Sequence, residues 1–445
     1  MKRLILSLTT VILSLATWGQ QAGDKFVIKT TEAVKKTEWS LAGGDAFSDI
    51  SIIKHNGDKL ELFAKGYENM GAWATYDLNQ IESITFTVFH KGDYQEESAA
   101  QAVKNMGLGT CFGNCMDAVD INKTMEKNSV TDFEKCWGQE PTTKPMVDFL
   151  KKNGFNSVRI AVTWFQHMKE DGTVDAAWMD RVQEIVDYVI DNGMYCILNV
   201  HHDTGADPTD KSYTHWIKAD LDNYNANKTK FEYLWTQIAN RFKNYDQHLV
   251  FEGYNEMLDK DNTWNAPKNA NSYKGLNAYA QSFVNAVRAT GGNNETRNLI
   301  VNTYAAACGD EVLNNFTVPT DKVSGHIAVE VHTYAPWDWF AKGVWDASCS
   351  NEIKNMFTRL NNKFISKGIP YIIGEYGTHG STQVSKNSTD SQIQAAADQA
   401  ADIVKQAKAN GSTAFYWMSI FEGKDRTVPQ WTLPTVVEAM KKAYK

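Results

Sequence analysis

The sequence carries no stripe of basic residues, no second Cys or His pair at zinc spacing and no complete Gly-rich phosphate turn. Beyond its first 19 residues it has no apolar run long enough to span a membrane. Each lack excludes something. A formal charge of −8 without a basic cluster offers no electrostatic footprint for a phosphate backbone, so no nucleic-acid partner is expected. A membrane span needs about 20 apolar residues, so none is expected here. Cys111-x-x-x-Cys115 stands alone, and no metal site is expected. Gly107-Leu108-Gly109 lacks the spacing that cradles a dinucleotide after a first strand, which weighs against a doubly wound open sheet.

What is present fits a globular protein of one large and one small domain. The chain has 445 residues, 42% of them apolar, enough to build a real core. Its 14 Trp mostly serve packing, but Trp and Tyr also offer the flat faces of binding clefts. Lys2 and Arg3 precede an apolar run from Leu4 to Trp18, so residues 1–19 read as a secretory signal cleaved after Gly19. The expected location is therefore secreted or periplasmic. Export makes disulfides possible for the six Cys. Cys196, inside an apolar run, reads as a buried thiol. Cys308 with Cys349 is one possible bridge.

Short alternating runs fill residues 22–90: Phe47 to Ile53, Leu60 to Lys65, Ala72 to Leu78 and Ile81 to Phe89. Asn56-Gly57 between the first two is a hairpin signal. A small all-β domain is expected there, followed by a polar linker over 91–104. From 105 to 445 the pattern becomes strand, loop, helix, repeated. Apolar strand runs begin near Met106, Asn156, Tyr195, Leu249, Leu299, His326, Pro370 and Thr413. Their near-continuous apolar character suits a sheet buried on both faces. One helix is capped by Asp175, carries Trp178, Val182, Ile185, Val186 and Val189, and ends at Gly193. Others carry Phe231, Leu234, Trp235, Ile238 and Phe242, or Ile393, Ala397, Ala400 and Val404. Eight such units predict a (β/α)₈ TIM barrel of the α/β class.

In such barrels the chemistry lies at the C-terminal ends of the strands. Here the apolar runs end in Arg159, His201-His202-Asp203, Asn255-Glu256, His332-Thr333-Tyr334, Glu375 and Trp417. Each residue alone has a structural reading: a salt bridge, a hydrogen-bonded core His, a turn former. Arg159 within a strand can simply pair with an acid of a neighbouring strand. Their convergence on one rim is what points to catalysis, because buried charge is costly unless paired. Two carboxyls flanking a glycosidic bond suffice to cleave it, so no metal or organic cofactor is required. In this reading Glu256 is the proton donor and Glu375 the nucleophile. Arg159 near Glu375 holds it ionised, and Tyr334 fixes its angle. Asn255 orients the sugar 2-hydroxyl, His332 tunes the acid, and Trp417 is a platform for a sugar ring. Trp164, Trp216, Trp337 and Trp339 are further rim candidates.

These segments resemble glycoside hydrolase family 5, a clan A family of retaining enzymes, over roughly residues 105–445. The resemblance lies in Asn156-Ser157-Val158-Arg159, Asn199-Val200-His201-His202-Asp203, Tyr254-Asn255-Glu256, His332-Thr333-Tyr334, Gly374-Glu375-Tyr376-Gly377 and Tyr416-Trp417. It implies Glu256 as acid/base and Glu375 as nucleophile. It also implies Arg159, His201, His202, Asn255, His332, Tyr334 and Trp417 as substrate-site residues. Trp137-Gly138-Gln139-Glu140-Pro141-Thr142-Thr143 is similar to a segment of subfamily 4, with Gln139-Glu140 where one Asn is usual. The first strand region, Gly109 to Ala118, is similar to that subfamily's too, and implies that Asn114 faces the sugar near the cleavage point. Members of that subfamily are endo-β-1,4-glucanases. The implied partner is a β-glucan polysaccharide cut by a monomer, with a β-mannanase, a xylanase or a non-catalytic glycan-binding barrel as alternatives.

Overall fold

The computed structural model describes residues 94–445 except 121–126, 128, 207–214 and 379–382. Before them it describes six strands between Asp24 and Val88, with residues 69, 71 and 72. The expected signal and the start of the run at Phe47 lie outside the described residues. The contacts divide the chain into two units, Met1–Asp93 and Tyr94–Lys445.

The first unit contains β1 (Asp24–Thr30), β2 (Trp39–Leu41), β3 (Ile50–Asn56), β4 (Lys59–Ala64), β5 (Ala74–Asp77) and β6 (Ile81–Val88). They pair as two three-stranded antiparallel sheets, β2-β1-β6 and β3-β4-β5. β3 and β4 pair antiparallel with Asn56 opposite Lys59, the hairpin that Asn56-Gly57 signalled.

In the second unit α1 (Ala99–Asn105) precedes eight parallel strands: β7 (Gly109–Phe112), β8 (Ser157–Ile160), β9 (Tyr195–Asn199), β10 (Leu249–Glu252), β11 (Leu299–Asn302), β12 (Ile327–Thr333), β13 (Tyr371–Tyr376) and β14 (Ala414–Tyr416). They close into a barrel in chain order, with β14 pairing back onto β7. Each starts within about three residues of the run predicted for it, and helices fill the intervals as a (β/α)₈ barrel requires. The helix Ala176–Asp191 is capped by the Asp175 side chain, which accepts from the N–H groups of Ala177 and Trp178. Its buried stripe includes Trp178, Val182, Ile185, Val186 and Val189.

The two-residue period of the strands sorts their side chains. Leu198, Phe251, Val301, Val329, Ile373 and Tyr416 point outward into one cluster shared with the helices. Ile197, Val250, Ile300, Ala328, Ile372 and Phe415 point inward into a second cluster. Residues 99–104, expected to end a linker, instead belong to α1. Ser98 caps it, and its Ala99, Ala102 and Val103 join the inward cluster, as does Met106 just beyond it. The Ala99 N–H donates to Gly325 O just before β12, and Tyr195 OH at the start of β9 donates to Glu97. The helix thus closes the N-terminal end of the barrel. Polar composition suggested a linker because only three of its seven residues are buried.

The inward positions two residues further along are Arg159, Asn199, Glu252, Asn302 and Glu330. The apolar plug therefore gives way to a polar layer just beneath the C-terminal rim.

Candidate active site

Arg159 organises that layer. It is fully buried, and its guanidinium fork meets three carboxylates from three strands. Nε lies 2.7 Å from Glu252 Oε2 and 3.0 Å from Glu330 Oε1. Nη1 donates to Glu375 Oε1 at 2.8 Å, and Nη2 to Glu252 Oε1 at 2.8 Å and Asn255 Oδ1 at 2.7 Å. Burial alone would depress the guanidinium, but Glu252, Glu330 and Glu375 outweigh it and hold it charged. One guanidinium cannot offset three buried charges. Burial, opposed by Arg159 and reinforced by Glu330, pushes Glu252 up to about 7.

Glu375 is the last residue but one of β13, its side chain 5% exposed. Its Oε1 takes Arg159, and its Oε2 accepts the Tyr334 hydroxyl at 2.6 Å. Glu256 follows β10, its side chain 21% exposed at the rim. His332 Nδ1 lies 2.8 Å from Glu256 Oε1 and 3.6 Å from Glu375 Oε2. The three groups offer atoms that all lie within 4.8 Å of one another. Residues 256 and 375 thus meet face to face.

His201 follows β9 and is buried. Asn199 Oδ1 accepts from the Val162 N–H, which turns its amide nitrogen toward His201 Nδ1 at 3.0 Å. Nδ1 therefore accepts and Nε2 carries the proton, 3.9 Å from Glu375 Oε1. Asn255 Nδ2, at 3.4 Å from Nε2, is too distant to reverse that tautomer. Burial, with His202, Arg159 and His332 nearby, holds His201 well below the usual imidazole range, so it is neutral. Trp417 stacks on it at 5.6 Å with the planes 7° apart.

His202 Nε2 lies 3.4 Å from Asp117 Oδ2. Trp137 is 38% exposed, its ring 5.1 Å from that of His202, and its Nε1 donates to Val119 O. Gln139 Oε1, in the segment that departs from the subfamily pattern, accepts from the Gly423 N–H. This ties the Trp137 loop to the loop after β14. Asn114, just past β7, takes a left-handed backbone with φ 57°, and the Asp117 carboxylate accepts from Cys115 N–H beside it.

The structure brings nine of the residues read from the sequence to one rim: Arg159, His201, His202, Asn255, Glu256, His332, Tyr334, Glu375 and Trp417. Trp137 reaches it through His202. Two expectations need correction. Trp164, Trp216 and Trp339 are buried, so they pack the core instead of lining a cleft, and only Trp337 of that group is exposed. Cys308 and Cys349 are free thiols, as are the other four cysteines. Sequence reasoning also missed Glu252, Glu330, Asn199 and Asn302. Their signal was the inward parity they share with Arg159.

A closed parallel barrel whose C-terminal rim opposes two carboxyls has the architecture of a glycoside hydrolase. The family model for cellulase (glycosyl hydrolase family 5) matches residues 119–423. The chain is 33% identical over 373 residues to Endoglucanase B of Clostridium cellulovorans, covering 78% of this chain and 76% of that protein. Among solved structures, PbGH5A, a glycoside hydrolase family 5 enzyme from Prevotella bryantii B14, shares 57% identity with a TM-score of 0.76. It covers 79% of this chain and all of that one, and was crystallised as a mutant in complex with the xyloglucan tetradecasaccharide XXXGXXXG. A GH5-4 broad specificity endoglucanase from an uncultured bacterium shares 42% identity with a TM-score of 0.72, covering 79% and 97%. The chain belongs to glycosyl hydrolase family 5.

Proposed function

We propose that the protein is a retaining endo-β-1,4-glucanase that cuts β-glucan backbones by double displacement, with Glu375 as nucleophile and Glu256 as acid/base. The observation that carries this reading is the pair of carboxyls on β13 and just past β10, which bring one oxygen each within 4.8 Å of the other. A retaining pair stands about 5–5.5 Å apart, whereas an inverting pair needs roughly 6.5–9.5 Å to admit a water. Glu375 attacks the anomeric carbon as Glu256 gives its proton to the departing glycosidic oxygen. A glycosyl ester forms on Glu375. Glu256, now ionised, takes a proton from water, whose oxygen attacks the same carbon and releases Glu375. Arg159 and Tyr334 hold the nucleophile's two oxygens throughout, and Asn255, His201 and His202 supply polar contacts to the bound ring. The exposed rings of Trp137, beside His202, and Trp337, stacked on Tyr334, extend the cleft.

The PbGH5A complex with a xyloglucan oligosaccharide favours β-glucans, including xyloglucan, over mannan or xylan. The test is product release from soluble cellulose, xyloglucan, mixed-linkage glucan, mannan and xylan. The glucans are expected to lose viscosity well before reducing ends accumulate. Faster hydrolysis of mannan or xylan than of every glucan would overturn the substrate assignment.

The same reading includes export. Residues 1–19 act as the signal and residues 22–90 as a small all-β domain ahead of a monomeric barrel. N-terminal sequencing of the exported protein tests the signal, with Gln20 expected first. No helix among the described residues is long and apolar enough to cross a membrane.

A further inference from the structure

His332 stands among three carboxyls. Besides its contacts to Glu256 and Glu375 through Nδ1, its Nε2 lies 3.0 Å from Glu330 Oε1. A ring lone pair facing a carboxylate oxygen is repelled, so each short contact needs a proton in it. Glu330 itself is fully buried below the rim, out of reach of a sugar. Its Oε1 is shared between Arg159 and His332, and its Oε2 has no hydrogen-bond partner among the described residues. The fold leaves room for this carboxylate at the expense of the neighbouring strand. A Cβ at Gly374 would lie 1.7 Å from Glu330 Oε1, so residue 374 must lack one. A buried carboxylate with a bare oxygen is costly, and an apolar residue would serve packing better.

We propose that Glu330 is a positioning residue for the hydrolysis: by engaging Nε2 it keeps both nitrogens of His332 as donors, so that Nδ1–H points at Glu256 and governs proton exchange there. This rests on Glu256 as the acid/base.

Without Glu330 the ring gives up one proton more readily. A neutral ring can then accept at Nδ1, drawing the proton of Glu256 away from the glycosidic oxygen. The charged and titratable groups around the pair are Arg159 on β8, Glu252 and Glu256 from β10, Glu375 on β13, Cys111 on β7, His201 after β9 and Tyr334 after β12. Removing Glu330 takes one negative charge from this set. The remaining acids and the ring therefore lose protons at lower pH. The charge balance supports the assignment. Burial alone would depress His332, but Glu375, Glu256 and Glu330 together raise it to about 10.

The experiment compares kcat/KM against pH on a soluble β-glucan for the full chain, Glu330→Gln and Glu330→Asp. In Glu330→Gln the alkaline limb is expected to move toward acid by about one pH unit, with kcat at the optimum down about tenfold and KM little changed. Glu330→Asp keeps the charge and is expected to restore the limb. A second readout needs no turnover: ¹⁵N NMR of His332 in the wild type is expected to show both ring nitrogens protonated at pH 7, and in Glu330→Gln the ring is expected to lose its proton about one pH unit lower than in the wild type. Limbs of Glu330→Gln that superimpose on the wild type would overturn the proposal. So would a neutral wild-type ring at pH 7, which can be read even if Glu330→Gln does not fold. A wild type that releases no reducing ends while its ring is doubly protonated would instead sink the hydrolase reading.

Discussion

Glu375→Gln is expected to lower kcat on a soluble β-glucan by at least about 10⁴-fold, equivalent to about 5.5 kcal/mol of lost transition-state stabilisation. The amide is nearly isosteric, so the cleft keeps its shape and KM should stay within a few-fold. What disappears is the group placed to form the glycosyl ester. Glutamine still accepts the Tyr334 hydroxyl through its oxygen, but its NH₂ then faces the Arg159 guanidinium, which now donates to Glu375 at 2.8 Å. Some stability is therefore lost too, and a thermal melt separates that loss from the catalytic one. The contrast with Glu256→Gln is informative. A general acid contributes roughly 10²–10⁴-fold, and it matters less when the leaving group departs without a proton. An aryl glycoside with an acidic phenol should thus recover much of the first step in Glu256→Gln but almost none in Glu375→Gln. Equal recovery in both variants would reverse or dissolve the assignment.

Arg159→Leu is expected to be the most destabilising single change in the barrel. Leucine roughly fills the stem's volume but leaves Glu252, Glu330 and Glu375 buried without their common cation. Breaking a buried ion pair by removing one partner costs about 3–5 kcal/mol, because the remaining charge is left uncompensated. In a barrel of this size that corresponds to a fall in Tm on the order of 10 °C. Burial already raises Glu252, and without Arg159 to oppose it that carboxyl takes up its proton at still higher pH, which the pH dependence of the melt reads. Arg159→Lys keeps the charge but lacks the fork that reaches Glu252, Glu375 and Asn255 together. It should fall between the wild type and Arg159→Leu in both measurements. A melt within about 1 °C of the wild type for Arg159→Leu would mean that the polar layer is hydrated and the charges are screened.

The sequence was most legible where a single period dominates. Runs such as Ile197-Leu198-Asn199-Val200 and Tyr371-Ile372-Ile373 announce strands buried on both faces, and the polar residues that end these runs mark the rim. The His201, Glu256, His332 and Glu375 positions could be read that way. Less legible was anything decided by which face a residue takes. Glu252 and Glu330 lie in the same apolar runs, yet parity sends them inward beside Arg159. The structural reading of Arg159, pairing with a neighbouring strand's acid, thus holds alongside its role at Glu375. The indoles of Trp164 and Trp216 mislead for a related reason. Both sit in rim loops, but Trp164 Nε1 donates to Asn199 O and Trp216 Nε1 to Asp203, which draws them into the core. Helix α1 hid because its polar face resembles a linker, while its small Ala residues are what let it fit the barrel mouth.

The stereochemistry of the first-formed product tests most directly whether the acids at 256 and 375 act as a double-displacement pair. Proton NMR during the first minutes of hydrolysis of a β-linked oligosaccharide should show the β-anomer appear first and mutarotate later. If the α-anomer appears first, water attacks directly, and a nucleophilic role for Glu375 is ruled out.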